Sequence, residues 1–295
     1  MAKEKFKKKK KSLSEYSSWE LIGYRFRKNK LAMLGVFMFL AIMLVTLFAP
    51  LVVPYEKVIN QNVREKLQAP NGKYIFGTDE LGRDLFARVL YGGRVSLLCG
   101  LAIIGISLVA GAIIGGIAGF IGGKVDTILM RIVDALMAVP PALLAMAIIT
   151  ALGNGVFNLV IALSIAQISR FARTVRSSVL TLRNMEYVEA AKCYGSSSFR
   201  IILKHILPNG IGPIVVAATL TLGAVILSIS SMGYLGLGVA SPTPEWGTII
   251  SENKVNIRYY PYLGLIPGLC IMLSVMAVNF IGDGLRDAFD PKTKN

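Results

Sequence analysis

The sequence predicts an all-α protein that crosses a membrane with six helices. Of its 295 residues, 54% are hydrophobic and only 17% are charged, whereas a typical soluble domain carries about 25% charged residues. The mean hydropathy of +0.60 is correspondingly high. Because so much apolar surface must face something other than water, lipid is the expected surrounding. Six apolar stretches have lengths near the roughly 20 residues that a helix needs to cross the hydrocarbon core.

The six predicted spans are separated by short turns or by polar segments. In chain order they cover residues 31–53, 95–121, 127–152, 156–171, 210–232 and 262–281. An even number of spans places both termini on one side of the membrane. The polar segments 54–94 and 241–261 then lie on the opposite side, and segment 173–209 shares the side of the termini. The predicted organisation is a basic tail at 1–30, the first span, the loop 54–94, a five-helix core at 95–283 and a tail at 284–295.

The distribution of positive charge orients these spans. The net charge is +15, and much of it precedes the first span, where residues 7–11 are all lysine. Lysine and arginine close to a span stay on the cytoplasmic side, so both termini are predicted in the cytoplasm and the chain in the cell membrane. A lysine run can also bind nucleic acid. This run abuts a membrane span and has no nucleic-acid-binding module beside it, so no nucleic-acid partner is expected.

The residues around the first span predict an interfacial helix and an uncleaved anchor. In segment 14–30, Trp19, Ile22 and Phe26 share one helical face, and a basic helix with such a face lies in the membrane interface. A solvated tail is the alternative. The apolar stretch 31–53 is longer than the 7–15 residues typical of a signal-peptide core. It is therefore interpreted as a first transmembrane helix that is retained.

Two features inside the spans predict local geometry. Gly111, Gly115 and Gly119 recur every fourth residue, which is typical of a face where two membrane helices approach closely. Pro140 and Pro141 interrupt the third span and predict a kink, because proline removes a backbone donor. The kink could line a pathway or serve packing alone, and the sequence does not decide between them.

Charged side chains in the third span have a structural interpretation. Arg131 and Asp134 are three residues apart, so they can pair on one helix. We expect them near the cytoplasmic end of the span, where long side chains reach the interface at low cost. A functional charge in the membrane is the alternative.

The sequence contains no recognisable catalytic or metal-binding pattern. It lacks the GxxxxGK[ST] loop, so ATP binding by that route is excluded. His205 is the single histidine, and Cys99, Cys193 and Cys270 have no metal-ligand spacing. We therefore predict no catalytic residue, no metal and no cofactor bound by this chain. The span centres are nearly free of ionisable groups, which disfavours a proton-coupled carrier. A channel, a secondary carrier and a membrane enzyme remain as alternatives.

A polar segment between the fourth and fifth spans carries a recognisable motif. It consists of Glu189, Ala190, Ala191, Gly195, Ile206, Leu207 and Pro208. This pattern resembles the EAA signature of the permease subunits of ABC importers. The resemblance implies that the segment forms a short cytoplasmic coupling helix that docks in a groove on an ATPase subunit. Small alanines would leave room for docking, the glutamate could make a charge-assisted contact, and Gly195 could end the helix at positive φ.

Two further motifs lie in the segments on the opposite side. The first is Phe76, Gly77, Thr78, Asp79, Gly82, Arg83 and Asp84, followed by Arg88, Gly92, Arg94, Ser96 and Leu97. The second is Leu235, Gly236, Leu237, Gly238, Pro242, Pro244, Glu245, Trp246 and Gly247. Both resemble segments of the C-type permeases of peptide and nickel importers, and Ala87 replaces a frequent serine. Trp246 beside two prolines suggests a rigid outer cover at the membrane interface.

The resemblance implies a fold, a function and a set of partners. The fold is that of type I ABC importer permeases, and the function is non-catalytic: the chain would form half of a passage for di- or oligopeptides, or for nickel or glutathione. The partners would be a homologous second permease, two cytoplasmic ATPase subunits that hold ATP and Mg²⁺, and an extracytoplasmic substrate-binding protein.

Overall fold

The computed structural model describes residues 18–290, and this part of the chain is helical without β-strands; its one isolated bridge joins Thr78 and Asp84. The helices are α1 (Ser18–Lys28), α2 (Lys30–Leu47), α3 (Ala49–Val52), α4 (Glu56–Ile59), α5 (Leu85–Ile121), α6 (Gly123–Met137), α7 (Pro141–Leu152), α8 (Val156–Leu182), α9 (Glu186–Cys193), α10 (Ser198–Ile201), α11 (Leu207–Asn209), α12 (Ile211–Tyr234), α13 (Trp246–Glu252) and α14 (Tyr262–Phe289). A 3₁₀ turn at Val63–Glu65 and a π turn at Ile202–Ile206 complete the described elements.

Five of these helices, α2, α5, α8, α12 and α14, are long and apolar enough to cross a membrane. Helices α6 and α7 form the sixth span when they are counted together, but they meet at an angle of 84°. The third span is therefore two helices and not the single kinked helix predicted over 127–152. Pro140 has extended backbone, with ψ of 133°, and Pro141 begins α7. Proline disfavours helical backbone in the residue before it and suits the first turn of a helix, which explains the break.

Several helices extend beyond the predicted spans into segments that were assigned to loops. α5 begins ten residues before position 95, because the Asp84 side chain accepts the backbone N–H groups of Phe86 and Ala87. α8 continues to Leu182, inside the predicted loop 173–209, and α14 continues to Phe289, inside the predicted tail. Hydropathy marks only the apolar part of a helix, so it underestimates helices whose ends carry polar or charged side chains.

The chain direction places two groups of elements at opposite ends of the helix bundle. We call the first the α9 end; it carries α1, α9 to α11 and the end of α14. The second, which we call the α13 end, carries residues 53–84 and α13. At the α9 end, Trp19 packs edge-on against Phe289 with ring centroids 6.4 Å apart. Arg25 Nη1 also donates to the carbonyl of Asp290 at 3.1 Å. α1 thus lies across this end, within the segment 14–30 that was predicted to be helical; residues 14–17 are outside the described part.

The glycine repeat of α5 forms the predicted close contact, and its partner is α8. A Cβ added at Gly111 would lie 2.5 Å from Phe171 Cβ, and one at Gly115 would lie 2.2 Å from the carbonyl oxygen of Ala172. The contact at Gly119 is looser, with Val179 Cβ 3.0 Å from the added atom. Only hydrogen fits at Gly111 and Gly115, so α5 and α8 are held backbone to backbone.

Ion pairs between helices replace the pairing predicted within the third span. Asp134 of α6 binds Arg173 of α8, and Arg131 is not its partner. Asp126 of α6 binds Arg176 of α8 with two bonds of 2.6 Å. α6 lies beside α8, and a bidentate arginine–carboxylate pair is stronger than a pair along one helix surface. These contacts join α6 to the α5–α8 unit.

Candidate functional sites at the two ends of the bundle

The EAA segment forms α9, and its residues divide between an outward and an inward face. Glu189 and Ala190 are exposed, whereas Val188 and Ala191 are buried. The buried residues pack with Val175 and other apolar side chains of α8. Ala191 was predicted to leave room for a docking partner, but it contacts the chain's own core. The motif therefore attaches α9 to α8 with one alanine and presents the other alanine and the glutamate outward.

Gly195 ends α9 with left-handed backbone, as predicted, at φ +75°. The N–H of Ser196 donates to the carbonyl of Ala191 at 3.1 Å, and the N–H of Gly195 donates to that of Lys192 at 2.9 Å. These two bonds make a Schellman cap, which satisfies the last carbonyls of a helix. No atom lies within 4 Å of the position where a side chain would begin at Gly195. Glycine is needed there for its backbone conformation and not for space.

The second half of the EAA segment returns the chain to the core. Ile206 is fully buried with the α8 residues Val175 and Val179, Leu207 is half-buried and Pro208 is exposed. The N–H of Leu207 donates to Ile202 O, which closes the π turn before the proline. Pro208 has no N–H and lies in the first turn of α11, where a helix does not need that donor. Ile206 thus anchors the segment at a second point on α8.

Two exposed aromatic residues adjoin α9, and the motif comparison did not single them out. Tyr194 is 90% exposed and Phe199 is 72% exposed. Tyr194 follows Ala190 by four residues, so it continues the outward side of the helix. Exposed aromatic side chains are enriched at the centres of protein interfaces. We name Glu189, Ala190, Tyr194 and Phe199 the coupling surface. In the sequence, the two aromatic residues could be recognised only as large aromatic side chains in a polar loop.

At the α13 end, the first outer motif folds into a tight turn around a buried carboxylate. Asp79 is fully buried, and its Oδ1 accepts the N–H groups of Leu81 and Arg83 at 2.9 Å. Its Oδ2 accepts Arg83 Nε at 2.6 Å. Gly77 and Gly82 have φ of +78° and +73°, and a Cβ at Gly82 would lie 1.9 Å from the carbonyl oxygen of Asn62. Asp79 and Arg83 are therefore buried parts of the structure and do not form a solvated loop.

The same turn is joined to α13 by a cluster of four charged side chains. Arg83 Nη2 and Arg88 Nη2 donate to one oxygen of Glu252, at 2.7 and 2.6 Å. Arg88 Nε lies 3.7 Å from Asp79 Oδ2. Two guanidinium groups and two carboxylates balance in charge, as a buried ionic cluster requires. Glu252 belongs to no recognised motif. It lies more than 160 residues along the chain from either arginine, so the local sequence does not predict the pairing.

The second outer motif is buried and holds α13 against the bundle. Glu245 Oε1 accepts the hydroxyls of Ser96 and Ser230 at 2.9 and 3.2 Å. Its Oε2 accepts the N–H of Thr248 at 2.9 Å, which caps α13. A fully buried carboxylate is held here by hydroxyl and backbone donors, the arrangement that offsets its loss of hydration. Pro244 is buried beside it.

Trp246 is the largest fully buried side chain, not the interface cover that the sequence suggested. Its indole N–H donates to the carbonyl of Val89 at 2.9 Å, and its ring lies on Gly93 of α5. A Cβ added at Gly93 would lie 2.6 Å from the ring, and one at Gly247 would lie 1.9 Å from the carbonyl oxygen of Ser230. Buried tryptophan usually has a partner for its N–H. Gly93 of α5 therefore makes room for this ring, and Gly247 of the second motif makes room for the backbone of α12 beside α13.

The structure thus brings the two outer motifs together and leaves the EAA segment at the other end of the bundle. α5 connects them physically, since it starts in the charged cluster and its last turns contact α8, on which α9 is anchored. Among residues 18–290, no group of His, Cys, Asp and Glu side chains has the geometry to hold a metal ion.

Sequence comparisons identify relatives along nearly the whole chain. Residues 111–295 match the family described as binding-protein-dependent transport system inner membrane component. Residues 17–70 match the N-terminal transmembrane domain of oligopeptide transport permease C. The dipeptide transport system permease protein DppC of Alkalihalophilus pseudofirmus is 43% identical, over 95% of this chain and 91% of that protein. The glutathione transport system permease protein GsiD of Escherichia coli is 39% identical, over 94% of this chain and 91% of that protein.

Solved structures support the fold independently. The MetNI methionine ABC transporter, in an inward-facing conformation, contains a chain that superposes with a TM-score of 0.58. The match covers 70% of this chain and 98% of that chain at 20% identity. At this identity the likeness concerns the fold alone, and it is that of a type I ABC importer permease. With the family match and the close relatives, these findings establish that the chain belongs to the inner membrane components of binding-protein-dependent transport systems and is a non-catalytic permease subunit.

Proposed function

We propose that this chain forms half of the passage of an ATP-driven importer for di- or oligopeptides. The other half would be a homologous permease, and two ATPase subunits would hold the ATP and Mg²⁺. A substrate-binding protein would deliver the peptide from outside the cell. The observation that carries the coupling role is the exposed coupling surface on α9 and the residues after it, in a segment that is anchored inward on α8. The names of the dipeptide and oligopeptide permease relatives support peptides as the substrate.

The packing of the bundle supplies a route for mechanical coupling. Val188, Ala191 and Ile206 attach the α9 segment to α8. The glycine contacts attach α8 to α5, and two ion pairs attach α8 to α6. Because close-packed elements move together and do not deform continuously, a displacement of α9 by an ATPase subunit would move these helices as one unit. The charged cluster would carry that movement to α13 at the other end.

The charge distribution supports an orientation with the α9 end in the cytoplasm. Arg25, Arg27 and Lys28 lie in the last turn of α1, directly before α2. Arginine and lysine next to the first span favour the cytoplasmic side. Both termini would then be cytoplasmic, and the α13 end would face the substrate-binding protein.

Uptake by cells that lack their own peptide importers tests the proposal. The complete transporter would be expressed, and entry of a radiolabelled dipeptide and of labelled glutathione would be followed. We expect dipeptide uptake that is abolished when the catalytic glutamate of both ATPase partners is replaced by glutamine. Uptake that survives this replacement would indicate a channel or secondary carrier. Glutathione uptake without dipeptide uptake would assign the transporter to the substrate named for the Escherichia coli relative.

A further inference from the structure

One face of α8 is polar along its second half. Its exposed residues in this half are Arg170, Arg173, Ser177 and Thr181, and Asn184 is exposed two residues after the helix. Their spacing of three or four residues places them on a single side of the helix. We name Arg170, Arg173, Ser177 and Thr181 the α8 stripe. At the start of the same helix, the exposed side chains are the apolar Val156 and Phe157.

The polarity of the α8 stripe does not result from a position outside the lipid. Gly115 of α5 contacts α8 at Ala172 and Arg176, so this part of α5 lies at the same depth as the stripe. The outward side chains of α5 at that depth are Ile113 and Ile117, which are 57% and 38% exposed. Isoleucine on the outer face is typical of contact with lipid. At one depth, therefore, one helix presents an apolar face and its neighbour presents arginine and hydroxyl groups.

The α8 stripe borders two grooves that adjoin each other. The first has a volume of about 590 Å³ and lies between the stripe and the start of α12, where Asn209 and Pro213 line it. The second has a volume of about 780 Å³ and contains the same two residues together with Arg170 and Arg286. Its α12 side is apolar, with Val216, Ala217 and Leu220. The combined groove thus has one wall of guanidinium and hydroxyl groups and one wall of apolar side chains.

The charge in this groove is not balanced by ion pairs of the described residues. Arg173 is paired with Asp134, but Arg170 has no ion-pair partner within residues 18–290. Among residues 18–290, Asp290 at the edge of the groove is the one acidic lining residue, against Arg170 and Arg286 there. A guanidinium at membrane depth needs water or an anion around it, because lipid tails solvate neither charge nor hydrogen-bond donors.

We propose that the α8 stripe is the wall of the passage through which the peptide leaves the importer, and that Arg170 attracts the peptide's C-terminal carboxylate. This inference rests on the proposed function. Arginine binds carboxylates with two parallel hydrogen bonds, and the hydroxyls of Thr174, Ser177 and Thr181 can bond to peptide amides of any sequence. The apolar α12 wall accommodates side chains. The groove opens at the α9 end, where an incoming peptide would be released.

Labelling of introduced cysteines tests whether the stripe faces water. Ser177→Cys and, as the control at equal depth, Ile113→Cys are placed in a Cys193→Ser background, because Cys193 is exposed. Inside-out vesicles with the complete transporter are treated with a charged methanethiosulfonate reagent, which reacts only with hydrated thiolate. We expect Ser177→Cys to react at least about tenfold faster than Ile113→Cys. Equal slow rates would mean that the stripe is buried against the second permease, and would overturn the proposal.

Protection by peptide tests the role of Arg170 without involving the substrate-binding protein. A dipeptide added to the vesicles is expected to slow the labelling of Ser177→Cys, whereas the same dipeptide with an amidated C-terminus is not. The additional change Arg170→Gln should abolish this protection and Arg170→Lys should retain part of it. Fast labelling that no dipeptide slows would show a water-filled passage that does not bind peptides, and would overturn the assignment. Cellular dipeptide uptake by the same cysteine variants reports separately on the proposed function, so the two can fail independently.

Discussion

Arg88 at the start of α5 and Glu252 at the end of α13 are joined by a bond of 2.6 Å between Nη2 and Oε2. Arg88 is fully buried, and the same glutamate oxygen also binds Arg83. Glu252 therefore binds two guanidinium groups, and it attaches the turn that precedes α5 to the helix that carries Trp246. This relationship makes Glu252 a position where substitution should be costly.

We expect Glu252→Ala to destabilise the protein by about 3 kcal/mol, because removing one partner of a buried ionic cluster leaves uncompensated charge. The melting temperature of the purified protein in mild detergent measures the effect. Glu56→Ala is the matched control, since Glu56 is exposed at the same end of the bundle. Equal melting temperatures for the two variants would show that water reaches the arginines and that the cluster does not fasten α13.

We expect Gly93→Ala to destabilise the protein by roughly 1–3 kcal/mol, because the added methyl group overpacks a full core. It would lie 2.6 Å from the Trp246 ring and 2.5 Å from Thr46 Cγ2. Gly105→Ala on the same helix is the control, because nothing lies within 4 Å of its Cβ position. The control should be neutral or stabilising, since alanine favours helix over glycine by about 1 kcal/mol. Thermal unfolding distinguishes them; equal shifts would contradict the packing described for Trp246.

We expect Gly195→Val to impair coupling while leaving membrane insertion intact. The φ of +75° at Gly195 is unfavourable for a β-branched residue, so the Schellman cap opens and the end of α9 is displaced. Gly153→Val is the matched control: Gly153 has φ of +87° and equally open surroundings, but it ends α7 at the other end of the bundle. Dipeptide uptake per inserted transporter should fall for the first variant far more than for the second. Similar losses would assign the effect to general backbone strain.

We expect Tyr194→Ala to weaken association with the ATPase subunits by at least about tenfold, the scale of an interface aromatic that acts as a hot spot. Tyr194 is 90% exposed, so the change removes little internal packing. Tyr259→Ala provides the control, because Tyr259 is 74% exposed at the α13 end. Co-purification of the ATPase subunits from detergent extracts, quantified against this chain, is the measurement. Unchanged recovery with Tyr194→Ala would exclude this residue from the coupling surface.

The part of the fold that follows from local sequence was predictable. Apolar stretches located the membrane helices, and the glycine spacing on α5 identified a contact face whose partner is α8. The helix cap at Gly195 also followed from its motif, since a single residue type determines the backbone conformation.

The remainder depends on contacts between distant segments, for which one sequence has no signal. Asp134 pairs with Arg173 on a neighbouring helix and not with Arg131 on its own helix. This pairing depends on the placement of α6 beside α8. The motif residue Trp246 was recognised, but its burial depends on the glycines of α5. Similarly, two consecutive prolines predicted a kink, but they did not predict that its angle would be 84°. Pattern reasoning locates elements, and tertiary packing decides which side chains meet.

The length of α5 determines the height of the α13 end above the bilayer. Its 37 residues make a rod of about 55 Å, compared with a hydrocarbon thickness of about 30 Å. Its outward side chains are apolar from Leu98 to Ile121, so the excess length precedes Leu98. The first turns of α5 thus extend beyond the hydrocarbon core and hold the charged cluster in the aqueous layer. The arginines and carboxylates of the cluster can therefore pair there without entering lipid. A substrate-binding protein would contact a rigid surface that lies outside the lipid headgroups.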